Sequence, residues 1–165
     1  MYRSLKWILI AVLFGSQSHA ETGPDTNGDI VVRARTAIIQ QQEGVAEYVG
    51  NAELVQGNRI LKADRILIHL LNNEPQRIEA TGEPVSLTEG DDLEASAGRL
   101  VYDMSAGRIW LFDQARVASE GRLFEGAELE YERSTRQVNA RSDGEQDRVR
   151  LVIPAEPGSD EGLPE

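Results

Sequence analysis

The residues able to do chemistry are few and poorly assembled. The 165-residue chain has no cysteine. That excludes thiolate nucleophiles, disulfides, cysteine-ligated zinc and a lipidated N-terminal cysteine. Its two histidines are His19, in an apolar leader-like start, and His69, at the end of a short alternating run beside a turn. Such a lone histidine supports neither a His-ligated zinc site nor a Ser-His-Asp relay, and reads as solvated. Asp25-Thr26-Asn27-Gly28-Asp29 has the opening spacing of a calcium loop. Ile30, however, stands where that loop needs glycine, and Thr36 where it needs a bidentate glutamate. Asp91-Asp92 and Glu128/Glu130 are carboxylate pairs of the kind glycosidases use. At strand spacing they fall opposite the apolar residues, on a solvated face. Arg59 and Arg122 occupy matching places in an internal repeat, which suits a structural or rim role. No glycine-rich loop follows a strand and opens a helix, so nucleotide binding has no support. The expectation is a protein that is not an enzyme, with no catalytic residue, no metal and no cofactor.

The elements that hold these residues begin with an address. Arg3 and Lys6 precede the apolar run Trp7–Phe14, Gly15 breaks it, and Ser18-His19-Ala20 offers small residues to a signal peptidase. Residues 1–20 are therefore expected to be a secretory signal peptide cleaved after Ala20. An uncleaved anchor fits poorly, because eight strongly apolar residues span only about 12 Å of a hydrocarbon core of roughly 30 Å. The chain carries 17 Lys plus Arg against 28 Asp plus Glu, a net charge of −11. Losing Arg3 and Lys6 makes that 15 against 28, or −13. This balance argues against a grip on nucleic acid or on an anionic membrane surface. Residues 21–29 read as a flexible N-terminal segment, 30–154 as a single domain, and 155–165 as an acidic disordered tail.

Within that domain the pattern is all-β. Runs such as Ile60-Leu61-Lys62-Ala63, Arg65-Ile66-Leu67-Ile68 and Arg77-Ile78-Glu79-Ala80 alternate and are bounded by Gly, Asn, Asp or Ser. Sliding the chain by 63 residues superposes Ala34 on Ala97, Ile39 on Tyr102, Gly44 on Gly107, Leu54 on Val117, Arg59 on Arg122 and Ile66 on Leu129 without a gap. Each half divides again, since Ala34, Ala63, Ala97 and Gly126 begin similar segments. Four units of about four strands predict roughly sixteen short antiparallel strands. Each unit is too small to bury its own apolar face, so the units must stack, elongated and with open edges at both ends. Ile66 with Ile68, Leu100 with Tyr102, and Leu129 with Tyr131 each share one strand face. That face either closes against an opposite sheet or lines an apolar trough; composition allows both.

The motifs themselves resemble a known family. Gly50-Asn51-Ala52-Glu53-Leu54-Val55-Gln56-Gly57 and Ile60-Leu61-Lys62-Ala63-Asp64-Arg65-Ile66 are similar to signatures of the LptA/OstA-like family of periplasmic lipopolysaccharide-transport proteins. So are Gly82-Glu83-Pro84, Gly98-Arg99-Leu100-Val101-Tyr102, Asp113-Gln114-Ala115-Arg116-Val117, Phe124-Glu125-Gly126-Ala127 and Gln137-Val138-Asn139-Ala140. The resemblance covers about Asp29 to Pro154. It implies an elongated, open β-jelly-roll in the periplasm that shields lipid A acyl chains and passes lipopolysaccharide from the inner to the outer membrane. Implied partners are LptC at the N-terminal edge, the LptD N-terminal domain at the C-terminal edge, and further copies joined head to tail. The lipid-binding set it implies is Ile30, Val32, Ile39, Leu54, Ile66, Ile68, Leu87, Leu100, Tyr102, Met104, Ile109, Leu111, Val117, Leu129 and Tyr131. Ile30 and Val32 would lie near the LptC end, and Leu87, Tyr102 and Met104 deeper. The net charge predicts capture through acyl chains rather than phosphates, with Arg59 or Arg122 assisting locally at a rim. Family members often end in basic residues, whereas Pro154–Glu165 carries four acids and no base. The alternative function is a structural β-stack that links envelope proteins without carrying lipid.

Overall fold

The computed structural model describes residues 28–144 and 148–154. The expected leader, most of the N-terminal segment and the tail lie outside those residues. Ten strands form one antiparallel sheet: β1 (Val31–Arg33), β2 (Thr36–Gln40), β3 (Val45–Gln56), β4 (Arg59–Leu71), β5 (Glu74–Glu89), β6 (Leu93–Asp103), β7 (Arg108–Ser119), β8 (Arg122–Glu132), β9 (Gln137–Arg141) and β10 (Arg150–Val152). Neighbours follow chain order from β3 to β8. β1 and β2 pair with β3 at one edge, and β9 and β10 with β8 at the other.

Ten strands and the expected sixteen describe the same object. The register slips between Val49 and Ala52, Lys62 and Arg65, Thr81 and Val85, Ser96 and Arg99, and Phe112 and Ala115. β8 changes partner between residues 125 and 128. The six long strands thus each break near the middle, and with the four short strands they make sixteen segments; β4 and β5 slip once more, between His69 and Leu70, close to their shared turn. Segments 31–33, 52–56, 59–62, 85–89, 93–96, 115–119, 122–126 and 150–152 form sheet I. The remaining halves, from 36–40 to 137–141, form sheet II.

Local chemistry explains the breaks. An extra residue in one strand bends it and leaves the ladder locally unpaired. Gly50 has φ +86 and packs 3.0 Å, by the position of a Cβ, from the Arg35 side chain. Asn51 beside it, and Asp113 and Gln114 at the equivalent break, also take positive φ, a region in which Asn and Asp are among the more tolerated residues. At Gly126 a Cβ would stand 2.9 Å from the Arg141 carbonyl oxygen, so the residue must stay small. The small residues that phase the repeat, Ala34, Ala63, Ala97 and Gly126, all sit at breaks. The 63-residue shift carries the bounds of β3 onto those of β7.

Bending every rung at one place folds the sheet on itself. The inner faces of sheets I and II then bury one aliphatic core, in which Leu54, Ile66, Ile78, Leu100, Ile109, Leu111 and Leu129 are fully enclosed. The core is continuous along the stack, as units too small to fold alone require. Leu129→Ala should cost about 3 kcal/mol and lower Tm by on the order of 10 °C in a thermal melt followed by circular dichroism. Ile38→Ala, on the exposed side of β2, should change stability by only about 0.5 kcal/mol or less.

Candidate functional site

Residues directly opposite in an antiparallel pair share a face, so register reads out the interior as rows. One row crosses sheet II through Ile39, Ala46, Ile68, Ile78, Tyr102, Ile109, Tyr131 and Val138. A second runs through Tyr48, Ile66, Ala80, Leu100, Leu111, Leu129 and Ala140. In sheet I a third joins Val32, Leu54, Leu61, Leu87, Ala95, Val117, Phe124 and Leu151. Every residue expected from the resemblance falls on these rows except Ile30 and Met104, which are half-buried and packed against the core. Leu61, Ile78, Ala80 and Phe124 belong to the rows as well. The alternation in their runs was the available signal for them.

The rows are not equally covered. Ile39 is 61% exposed, because among the described residues β2 is an edge strand with no rung beyond it. At the opposite end Leu151 on β10 is 48% exposed. The apolar interior therefore emerges at both ends of the stack, while its middle is packed shut between the sheets.

Opposite the breaks, the two rows of hairpins approach each other and form a mouth bridged by polar groups. Arg59 and Glu89 are cross-strand partners in sheet I. Arg133, in the turn after β8, reaches across from sheet II and donates from Nη2 to Glu89 Oε1 at 2.7 Å and from Nε to Oε2 at 3.2 Å. Arg59 Nη2 donates to the same Oε1 at 3.3 Å. The Tyr102 hydroxyl, also from sheet II, accepts from Arg133 Nη1 at 3.2 Å and from Arg59 Nη1 at 3.4 Å. The Arg59 guanidinium lies 5.1 Å from the Tyr102 ring centroid, within cation–π range. The Tyr102 ring lies in the core with its hydroxyl in the rim, and Met104 follows the end of β6, half-buried against the core. Two strands further on, Arg136 bridges Glu120 at 3.1 Å and Asp92 at 3.9 Å.

Burial alone would raise the Glu89 carboxyl, but the hydrogen bond from Arg133 and the charge of Arg59 outweigh it and hold the group below its ordinary value. Burial likewise opposes the charge on Arg133, yet bonding to Glu89 and Tyr102 leaves that guanidinium a still weaker acid than usual. Burial, reinforced by the negative charge of Glu89, raises the Tyr131 phenol.

The other chemistry-bearing residues remain dispersed on the outside. His69 pairs with Glu79 at 3.1 Å, Glu128 with Arg141 at 3.4 Å, and Glu130 with Arg108 at 3.8 Å. Arg122, the repeat partner of Arg59, pairs with Glu120 instead of entering the core.

Comparison with known proteins identifies this arrangement. A family model described as LptA/(LptD N-terminal domain) LPS transport protein matches residues 31–137. The chain belongs to this family. The Pseudomonas aeruginosa lipopolysaccharide export system protein LptH is 27% identical over 156 residues, covering 87% of this chain and 89% of that protein. The crystal structure of LptH, the LptA-homologous periplasmic component of the lipopolysaccharide transport device of that organism, superposes with a TM-score of 0.71. The alignment has 26% identity and covers 80% of this chain and 99% of that one. The open, all-antiparallel β-jelly-roll expected of the LptA family is thus the observed fold.

For a family member with a closed mouth, the ion pairs there should report on opening. Glu89→Gln removes the carboxylate from two guanidinium groups and should cost about 2 kcal/mol at neutral pH. A carboxyl with a depressed native pKa stabilises above its unfolded value and loses that contribution as pH falls through the native one. The wild-type and Glu89→Gln melting curves should therefore converge on acidification below the ordinary carboxylate range. Arg59, Arg133 and Tyr102 are the other ionisable groups bonded into this cluster.

Proposed function

We propose that this chain is a periplasmic bridge protein that carries lipopolysaccharide from the inner to the outer membrane. On this reading residues 1–20 are a cleaved leader, and the protein is a carrier rather than an enzyme. The observation that supports it best is a set of aliphatic rows running the length of the stack and emerging at both ends, in a member of a lipopolysaccharide-transport family. An acyl chain of about a dozen carbons costs roughly 10 kcal/mol to expose to water, at about 0.8 kcal/mol per CH₂. A ligand with several chains needs shielding across an aqueous space. Rows of Ile, Leu and Val let it slide, since each position offers nearly the contacts of the last. The fifteen residues from Ile30 to Tyr131 named above are the proposed contacts. Because the middle of the core is packed shut, the sheets must part at the mouth to admit a chain.

The free edges carry the proposed partners. An LptC-type protein would add its strand beside β1 and β2, an LptD N-terminal domain beside β9 and β10, and further copies at either end, by β-augmentation. A head-to-tail contact of this kind leaves an open filament unless rotation closes it. The exposed inner-face residues at the two ends give a direct check. Ile39→Lys or Leu151→Lys should each reduce concentration-dependent self-association in light scattering while leaving the melting temperature nearly unchanged, since charge is how natural sheet edges resist pairing.

The closed core also favours a second reading, a structural stack that links envelope proteins without lipid. A chain with no cysteine allows a clean separation. Cysteines placed by Glu89→Cys and Arg133→Cys and joined by a short bifunctional linker would hold the mouth shut. A conduit should then lose lipid adducts to a photoreactive residue at Tyr102 or Ile30 in living cells, with end-to-end association intact. Growth and lipid delivery unaffected by the lock would favour the structural stack.

A further inference from the structure

The mouth cluster has a feature that closure alone does not require. Arg59 is 95% buried, the one charged residue so enclosed among the described residues, and its Nε has no hydrogen-bond partner. Two guanidinium groups, Arg59 and Arg133, converge on one carboxylate and one neutral hydroxyl. The cluster thus holds a surplus positive charge in a chain whose overall balance is −11. Burying a cation is costly unless it is paired. An acidic protein had many carboxylates with which to complete the pairing. The surplus sits where the aliphatic interior meets water, which is where the head of an amphiphile lies when its chains are inside.

We propose that Arg59 and Arg133 form an anion site for the phosphate groups of an acylated glycolipid, masked in the closed protein by the Glu89 carboxylate. The inference rests on the lipid-carrying function above and extends it to the headgroup. Arg133 grips Glu89 with a two-point fork from the opposite sheet, the geometry with which arginine also binds phosphate. Parting the sheets to admit acyl chains separates Arg133 from Glu89, because the two residues belong to opposite sides of the mouth. A phosphate then takes the place of the carboxylate on Arg133, and the unpartnered Nε of Arg59 supplies a further donor. Arg59 and Glu89 remain neighbours on sheet I, so the exchange does not leave the carboxylate without a cation. Closing the mouth behind the ligand restores the fork and ejects the phosphate, and so the same ion pair both admits and releases the headgroup.

The test compares binding of a bisphosphorylated, multiply acylated glucosamine disaccharide with that of its dephosphorylated counterpart, by displacement of a fluorescent lipid from the purified protein. The wild type should prefer the phosphorylated form by about tenfold, the scale of a hydrogen bond to a charged group. Arg133→Met should abolish that preference while retaining affinity for the dephosphorylated form. Arg133→Lys should keep part of it, and Glu89→Gln should increase it by unmasking the site. Circular dichroism confirms that each variant is folded. Equal binding of the two glycolipids by the wild type, or a preference surviving in both Arg133→Met and Arg59→Met, would overturn the headgroup site and leave the conduit standing. Binding of neither glycolipid would overturn both. Shifts of the Arg59 and Arg133 side-chain NMR signals by inorganic phosphate alone, at the concentrations used for the lipid, would assign the site to the free anion and overturn the lipid assignment.

Discussion

Everything in this structure depends on bending each rung of a single sheet at the same height. Without the breaks, the sheet would expose one apolar face along its whole length. With them, that face folds onto itself and becomes a core, at the cost of one unpaired step in each strand. The breaks therefore have to be local, small and repeated. That is why Ala63, Ala97 and Gly126 recur at them, and why Gly50 and Asn51 take conformations bulkier residues avoid. Among the described residues, both end rungs are unpaired, unlike those of a barrel, and the interior reaches the outside past them.

The burial that holds the sheets together is nondirectional and aliphatic, whereas the contacts across the mouth are directional and ionic. The two differ in how they respond to separation. Exchanging one aliphatic neighbour for another beside Ile66, Leu100 and Leu129 changes little in the first kind of contact. Opening the mouth by a few ångströms removes the second kind entirely, because hydrogen bonds weaken steeply with distance and angle. The molecule thus combines a tolerant interior with an all-or-none rim. Tyr102 belongs to both, with its ring in the aliphatic row and its hydroxyl between two guanidinium groups.

Much of this was legible in the sequence, and the limits follow from the physics. Alternation identified the inner-face residues because a strand turns every second side chain to the same side, and the 63-residue shift revealed the repeat because equivalent rungs need equivalent residues. Sixteen short segments could be counted from turns and small residues, while the fact that six pairs of them are single bent strands could not. The degree of exposure of Ile39 was hidden too: its type and spacing match Tyr102, but its strand has no outer neighbour. The mouth was beyond local reading altogether. Glu89 and Arg133 are 44 residues apart, and Arg59 and Tyr102 are 43 apart. Nothing in the runs around them distinguishes Arg59, which is buried, from its repeat equivalent Arg122, which is paired with a surface glutamate. Only folding the sheet brings the four together.

The repeat carries one more consequence. β3 is the equivalent of β7, and β1 with β2 pairs against β3 as β6 pairs against β7, Ile39 opposite Ala46 just as Tyr102 is opposite Ile109. At the other end β9 with β10 stands beside β8 as β5 stands beside β4. The first rung is thus a copy of β6 and the last takes the place of β5, and inside the chain those two are partners. The termini of the stack are two sides of one internal seam. Copies laid end to end would repeat a step the fold already contains, as unit cells do, so that the span of such an array would follow from counting copies rather than from any new geometry at the joints.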